Sequence, residues 1–223
     1  MSATLDWANR RIAAFAVYGM VEKVYVNAGD RVKKDQQLAQ LDQTTFINSN
    51  KKYQAQVDGI KPRLFDAKQN YDQAQELYER TVLSQVELQR AEVQFQGVEA
   101  EQAEARAELE TAKWQQRRSV LTAPCDCQVT GNGMLPGMII NNENQSLAVI
   151  ELAEMSVMDA IILLDKNINL LLKQVVQLEV AGKKYQATVI ALTSQNEKRL
   201  ARVQFRFDAV NNLFAGQSAK VSF

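Results

Sequence analysis

From Phe46 to Arg118 the chain is one long run rich in Gln, Glu, Ala, Lys and Arg, in which only Gly59, Pro62 and Gly97 break a helix well. In its first half Tyr53, Val57, Ile60, Leu64, Ala67, Tyr71, Ala74 and Tyr78 alternate spacings of four and three residues, an unbroken heptad seam. The second half keeps that spacing through Leu88, Ala91, Phe95, Val98, Gln102, Ala105, Leu109 and Ala112, with Gln102 as its polar member. Two seams predict two helices facing each other as an antiparallel coiled-coil hairpin over 46–118, with its tip near 79–84. Arms of about 35 residues would each reach roughly 50 Å. A globular bundle would need wider apolar faces, because a narrow seam buries only its partner helix. Pro62 lacks the backbone donor and crowds the preceding turn, so a kink or break is expected near Gly59 to Pro62. Ser84, with Glu87 three residues on, has the form of a capping box.

On either side of this run the texture is that of short strands. Val17 to Leu41 alternates apolar and polar residues around the turn "NAGD", with Val21, Val24, Val26, Val32, Leu38 and Leu41 as candidate core. From Val120 the pattern returns in "VLTAPCDCQVTGNGMLPGMIINNENQSLAVIEL", punctuated at Ala123-Pro124, Gly131-Asn132-Gly133 and Pro136-Gly137. Gly29 and Gly137 each open a similar apolar run that closes on an acidic residue. Half a sheet at each foot of a hairpin becomes a whole only when the feet meet. The hairpin is therefore an insertion into one small β domain, formed from 15–45 and 119–151. Beyond it, "LARVQFRFD" alternates as a half-buried strand, "YQATVIAL", "QSAKVSF" and "MSVMDAIILL" are further strands, and "DKNINLLLK" reads as a short helix begun by Asp165. Several strands in 152–223 predict a small β-barrel.

Composition narrows the function. The chain has no histidine, which removes the commonest general base and most zinc sites. Nothing suggests a catalytic centre, and no catalytic residues are assigned. Lys plus Arg and Asp plus Glu number 26 each, which argues against a nucleic-acid partner. No run of about 18 apolar residues is present, and the first residues lack the pattern of a signal peptide.

The stretch "AGDRVKKDQQLAQLD" reads like the first half of a lipoyl or biotinyl carrier domain, yet "LDQTT" places Thr45 where the modified lysine would stand. No covalent cofactor is expected. Taken in order, "GMVEKVYVNAGDRVKKDQQLAQLD", the heptad hairpin, "LTAPCDCQV" with "LPGMII" and "LAVIEL", and the terminal "LFAGQSAKVSF" resemble the HlyD/AcrA-type periplasmic adaptors, or membrane fusion proteins, of tripartite efflux and secretion systems. The resemblance covers nearly the whole chain after about Tyr18. It implies an elongated mixed α and β molecule: a lipoyl-like β-sandwich interrupted by the hairpin and followed by the barrel. A further membrane-proximal domain, found in many members, is expected to be absent or truncated.

Such adaptors join an inner-membrane transporter of the RND, ABC or major-facilitator type to a TolC-like outer-membrane channel. They assemble as rings, often hexamers, in the periplasm of Gram-negative bacteria, and any membrane anchor would be a segment not in this chain. The resemblance assigns the hairpin tip to channel docking. The family's tip pattern maps onto Leu77 and Ser84, but its arginine position holds Gln73, with Arg80 further along the helix as a substitute.

"APCDCQV" departs from the family, which commonly has glycine where Cys127 sits. In an extended strand Cys125 and Cys127 face the same side, so they could offer two thiolates to a soft metal such as Cu(I), with Met134 or Met138 nearby. That would make the chain a metal-binding adaptor of a heavy-metal efflux system. The alternatives are buried apolar thiols or incidental oxidation.

Overall fold

A computed structural model of the protein describes residues 1–144, 147–165, 170–194, 200–209 and 213–222. Strands β1 (Ser2–Trp7), β2 (Arg10–Ala14), β3 (Gly19–Val24), β4 (Arg31–Val32) and β5 (Gln37–Leu41) lead into helix α1 (Thr44–Glu79) and helix α2 (Gln85–Arg118). Four strands follow, β6 (Val120–Thr122), β7 (Cys127–Asn132), β8 (Ile139–Ile140) and β9 (Val149–Glu154). The last five are β10 (Val157–Asp165), β11 (Val175–Val180), β12 (Lys183–Ser194), β13 (Leu200–Asp208) and β14 (Ser218–Ser222).

The segments flanking the helices build two four-stranded sheets, ordered β2-β9-β7-β4 and β6-β5-β3-β8. Each sheet takes two strands from before the hairpin and two from after it. Neither half has a sheet of its own. The exchange is reciprocal at the two turn glycines: the Gly29 amide donates to the Val129 carbonyl (2.8 Å) and the Val129 amide to that of Asp30 (2.9 Å). In the same way the Gly137 amide donates to the Val21 carbonyl (2.8 Å) and the Val21 amide to that of Met138 (2.8 Å). Gly29 (φ 98°) and Gly137 (φ 84°) hold left-handed conformations that a side chain would strain. One core runs between the sheets, with Phe15, Val21, Val26, Val32, Leu38 and Leu41 meeting Val129, Met134, Ile140, Ile150 and Leu152. Val24, expected inside, is half-buried against it.

At the feet of the hairpin β5 pairs directly with β6, Gln40 facing Val120. The Gln43 side chain bonds the Ser119 hydroxyl, and the Leu41 amide donates to the Ser119 carbonyl (2.9 Å). Asp42 starts α1 from one residue outside its first cap position, its carboxylate accepting the Thr44 amide at 2.9 Å. That bond, followed by one from the Thr44 hydroxyl, holds the Asp42 carboxyl below its ordinary value. Along the hairpin Val57, Ile60, Ala105 and Leu109 form a buried cluster flanked by Tyr53 and Val98. Burying a valine or leucine in this way is worth about 1.5–3 kcal/mol. Ala67, Ala74 and Ala112 bring the two backbones close, and Tyr71 stacks on Phe95 with ring centroids 5.7 Å apart. Leu64 and Leu88 are half-buried, and Gln102 lies buried among its apolar neighbours on the seam. The expected break at Pro62 does not occur, since α1 is one helix from Thr44 to Glu79. Pro62 forfeits only the bond its own nitrogen would give the Asp58 carbonyl, and burial of Val57 and Ile60 against α2 holds that turn in place.

The remaining strands close a barrel in the order β1-β10-β13-β12-β11-β14, with antiparallel pairs throughout. Expected from 152–223 alone, it also draws β1 from the chain's start. Ala3 and Leu5 point into its core with Met158, Leu178, Val189, Phe205 and Phe207. β13 alternates as its sequence demands, Val203, Phe205 and Phe207 inward against Arg202, Gln204 and Arg206. Asp159 is 1% exposed, and its carboxylate accepts from Gln204 Nε2 (2.6 Å), Arg206 Nε (2.9 Å) and the outer Arg206 nitrogen (3.1 Å). The short helix expected from Asp165 falls on 166–169, outside the described residues. Asp165 itself ends β10, and a turn at Leu171–Gln174 leads into β11.

The chain crosses between the two β domains twice, at Ala8–Asn9 and at Met155–Ser156. The crossings are pinned together: the Glu154 amide donates to the Asn9 carbonyl (3.0 Å) and Asn9 Nδ2 to the Glu154 carboxylate (2.8 Å).

Candidate docking site at the hairpin tip

α1 ends where its last carbonyls find partners in a tight turn. Arg80 is the C-cap, the Thr81 amide donates to the Tyr78 carbonyl (2.9 Å) and the Val82 amide to that of Leu77 (3.0 Å). This pair of bonds is a Schellman closure, which requires a left-handed residue just past the cap. Thr81 fills that place at φ 58°, a conformation costly for a β-branched side chain. Ser84 then starts α2. Its hydroxyl accepts the Glu87 amide (3.4 Å), while the Ser84 amide and hydroxyl both donate to the Glu87 carboxylate (3.1 and 2.7 Å). The Ser84 side-chain bond, and after it the backbone one, lower the Glu87 pKa.

The residues assigned to the tip from the sequence take up different work there. Leu77 is 36% exposed on the flank of the last turn of α1. Arg80 is exposed and pairs with Glu76 one turn back, so its guanidinium stands at the tip already neutralised. Ser84 is committed to capping. Gln73 lies exposed further down α1. Val82, 71% exposed, and Val86, 58% exposed, were not singled out from the sequence; they complete the surface with Tyr78, expected on the seam but 40% exposed at its end. Val82 and Val86 could have been found, since they are apolar residues next to the turn that fall outside the α2 seam.

With Leu77 they form an uncharged apolar rim around a turn whose polar groups are satisfied within the hairpin. It offers no nucleophile, acid–base pair or ligand set. Chemically it can bury itself against another protein, and its stem is stiff enough to carry it there.

The other candidate site needs correction. Cys125 and Cys127 are joined to each other in a disulfide, with Cα atoms 5.4 Å apart, so neither thiolate is open to a metal. The sulfurs lie two residues apart at the start of β7, close enough to bond once on the same side. Met134 and Met138 pack in or against the same two-sheet core. At the carrier position Thr45 lies in the first turn of α1. Among the described residues, no helix is long and apolar enough to cross a membrane.

Against known proteins, the family model of the RND MFP (membrane fusion protein) barrel-sandwich hybrid domain matches residues 14–152. A search of curated proteins finds no match to this sequence. Among solved structures, the membrane fusion protein Spr0693 from Streptococcus pneumoniae R6 superposes with a TM-score of 0.74 at 16% identity, covering 100% of this chain and 97% of that one. MacA from Actinobacillus actinomycetemcomitans gives 0.74 at 21% identity, over 99% of this chain and 76% of that one. The periplasmic adaptor protein EmrA gives 0.60 at 11% identity, over 98% and 96%. At these identities the structural likeness concerns the fold.

Proposed function

The chain belongs to the RND membrane fusion protein family, the adaptors of efflux pumps, and from that premise we propose that it links an inner-membrane transporter to a TolC-like outer-membrane channel. Members of the family are generally non-enzymatic structural proteins, and the role proposed here is likewise one of assembly. The observation that carries the reading is the hairpin itself: its seam residues other than Tyr78 are buried or half-buried between the helices, while Leu77, Tyr78, Val82 and Val86 stay exposed at its end. Phe65 and Val93 are exposed on its flanks as well, but the end gathers four such residues around one turn, an arrangement suited to end-on contact. Leu77, Arg80 and Ser84 would then serve docking in two ways. Leu77 gives apolar area, whereas Arg80 and Ser84 fix the turn that presents it. The reciprocal bonding of the two sheet halves supports a lipoyl-like reading of that domain, which with the barrel would pack side by side in a ring. The setting proposed is the periplasm of a Gram-negative cell.

Photocrosslinking in such a cell tests this, with probes at Leu77 and Val82 and a control at Gln96 on the exposed middle of α2. Gln102 would be a poor control because it is buried in the seam. Adducts to an outer-membrane channel from the tip positions alone are expected. Adducts to the protein itself alone would make the hairpin an assembly device and overturn the docking role.

A further inference from the structure

The disulfide between Cys125 and Cys127 makes a poor staple. A cross-link stabilises a fold chiefly by shortening the loops open to the unfolded chain, a gain that grows with loop length, and here Asp126 alone lies between the two cysteines. Its position is more informative. It sits between β6 and β7 beside the joint of the two β domains, where a surface cavity is lined by Lys34, Cys125, Asp126, Glu154, Ser156 and Ala209. Cys125 lines that cavity and is 9% exposed, whereas Cys127 is wholly buried in the two-sheet core. The small ring also aims Asp126, whose carboxylate accepts the Lys34 amide at 2.8 Å and so ties the β6–β7 loop to the turn after β4. The same turn is held by bonds from the Asp35 amide to the Ala123 carbonyl (2.8 Å) and from the Ala123 amide to that of Gln36 (2.9 Å).

We propose that Cys125–Cys127 is a thiol–disulfide exchange site, opened from the cavity by a dithiol reductant, whose redox state sets how firmly Asp126 clasps the Lys34 turn beside the joint. A thiolate of the reductant attacks sulfur Sγ of Cys125. The bond between the protein sulfurs breaks with its electron pair on Cys127, which takes up a proton. The reductant's second thiol then attacks its own sulfur in the mixed disulfide, and Cys125 leaves as the thiol. Two electrons pass to the protein, the reductant ends as a disulfide, and the buried sulfur is never attacked directly. Lys34 lines the same cavity as Cys125, on the side where the Cys125 sulfur departs in the second step. The proposal does not depend on the docking role of the hairpin.

The test uses the whole chain in native buffer with dithiothreitol as the dithiol, acid quenching, alkylation and intact mass, alongside amide exchange at Lys34. The folded protein should gain no label before reduction and two labels after it, with helical signal unchanged and faster exchange at the Lys34 amide. Labelling without reductant would show that the bridge does not persist. Labelling that requires denaturant would show it closed to exchange, and unchanged protection at Lys34 would separate the bridge from the clasp. Each of these outcomes overturns the proposal.

Discussion

Thr81 holds the tip turn at a cost. A left-handed conformation is about 1–2 kcal/mol unfavourable for a residue with a side chain, more so when that side chain is branched. Thr81→Gly removes this strain while keeping both closing bonds, so it should stabilise the hairpin by roughly 1 kcal/mol after the larger chain entropy of glycine is counted. Thermal unfolding followed by helical signal reads the change, and a lower midpoint would show that the threonine is not strained there. Glu87 at the other side of the turn brings a pH dependence. Its folded carboxyl lies below the ordinary glutamate value of 4.5, so its contribution is fully present above that pH and fades as pH falls through the lowered value. Ser84→Ala removes the bond that causes the shift, and the first turn of α2 should then lose this part of its acid sensitivity in a helicity titration. On the barrel, Arg206→Ala would leave the buried Asp159 carboxylate with Gln204 alone. A loss of roughly 3 kcal/mol is expected, at the lower end for a buried pair because the Arg206 side chain is 41% exposed. Denaturant unfolding followed by near-ultraviolet signal measures it. The capping box was legible because it needs only two residue types at a fixed spacing. Thr81 was not, because its conformation is imposed by the turn closing around it and nothing in a threonine announces it.

Among the elements, the two helices and the strands β10, β12, β13 and β14 could be read from the sequence, whereas β1, β2 and β11 were missed. The helices α1 and α2 follow from seams that repeat over many turns, while β1, β2 and β11 carry five or six residues each. β11, "VVQLEV", alternates cleanly, burying Val176, Leu178 and Val180. β1 does so through Ala3 and Leu5, but its partners are distant in sequence, and it gains meaning only once β10 and β14 lie on either side of it. Local rules also overstated Pro62. Its intrinsic penalty in a helix interior is about 3 kcal/mol, and α1 runs through it because burial on the seam outweighs the local loss. Pro62→Ala restores the missing donor opposite the Asp58 carbonyl and should stabilise the hairpin by up to about 3 kcal/mol without changing its length. Helical content equal to the parent's with a raised midpoint would bear this out. A gain in helical content would show instead that the parent helix is interrupted.

For the molecule as a whole, the sheet pairings imply that the hairpin is dispensable to the domain that carries it. Gln40 and Val120 already face each other across β5 and β6, so the strands at the hairpin's feet are in hairpin register before any helix is added. Every sheet of that domain mixes strands from both sides of the insertion, and its core takes one residue from the helices, Phe46 in the first turn of α1. Replacing the segment from Thr44 to Arg118 with a short Asn-Gly turn should therefore leave a two-sheet domain and barrel that fold together. The cost of closing a long insertion also disappears, although that cost grows only slowly with length. The expected outcome is a chain that has lost its helical signal but keeps slow amide exchange at Val21, Val129, Ile150 and Phe205. If the shortened chain loses protection at Val21 and Val129 while Phe205 stays protected, the hairpin is the clamp that brings the sheet halves together. The resulting picture of an adaptor would differ in kind. Its rod would be part of the fold's foundation, and the tip could not be redesigned for a new partner without regard to the domain beneath it.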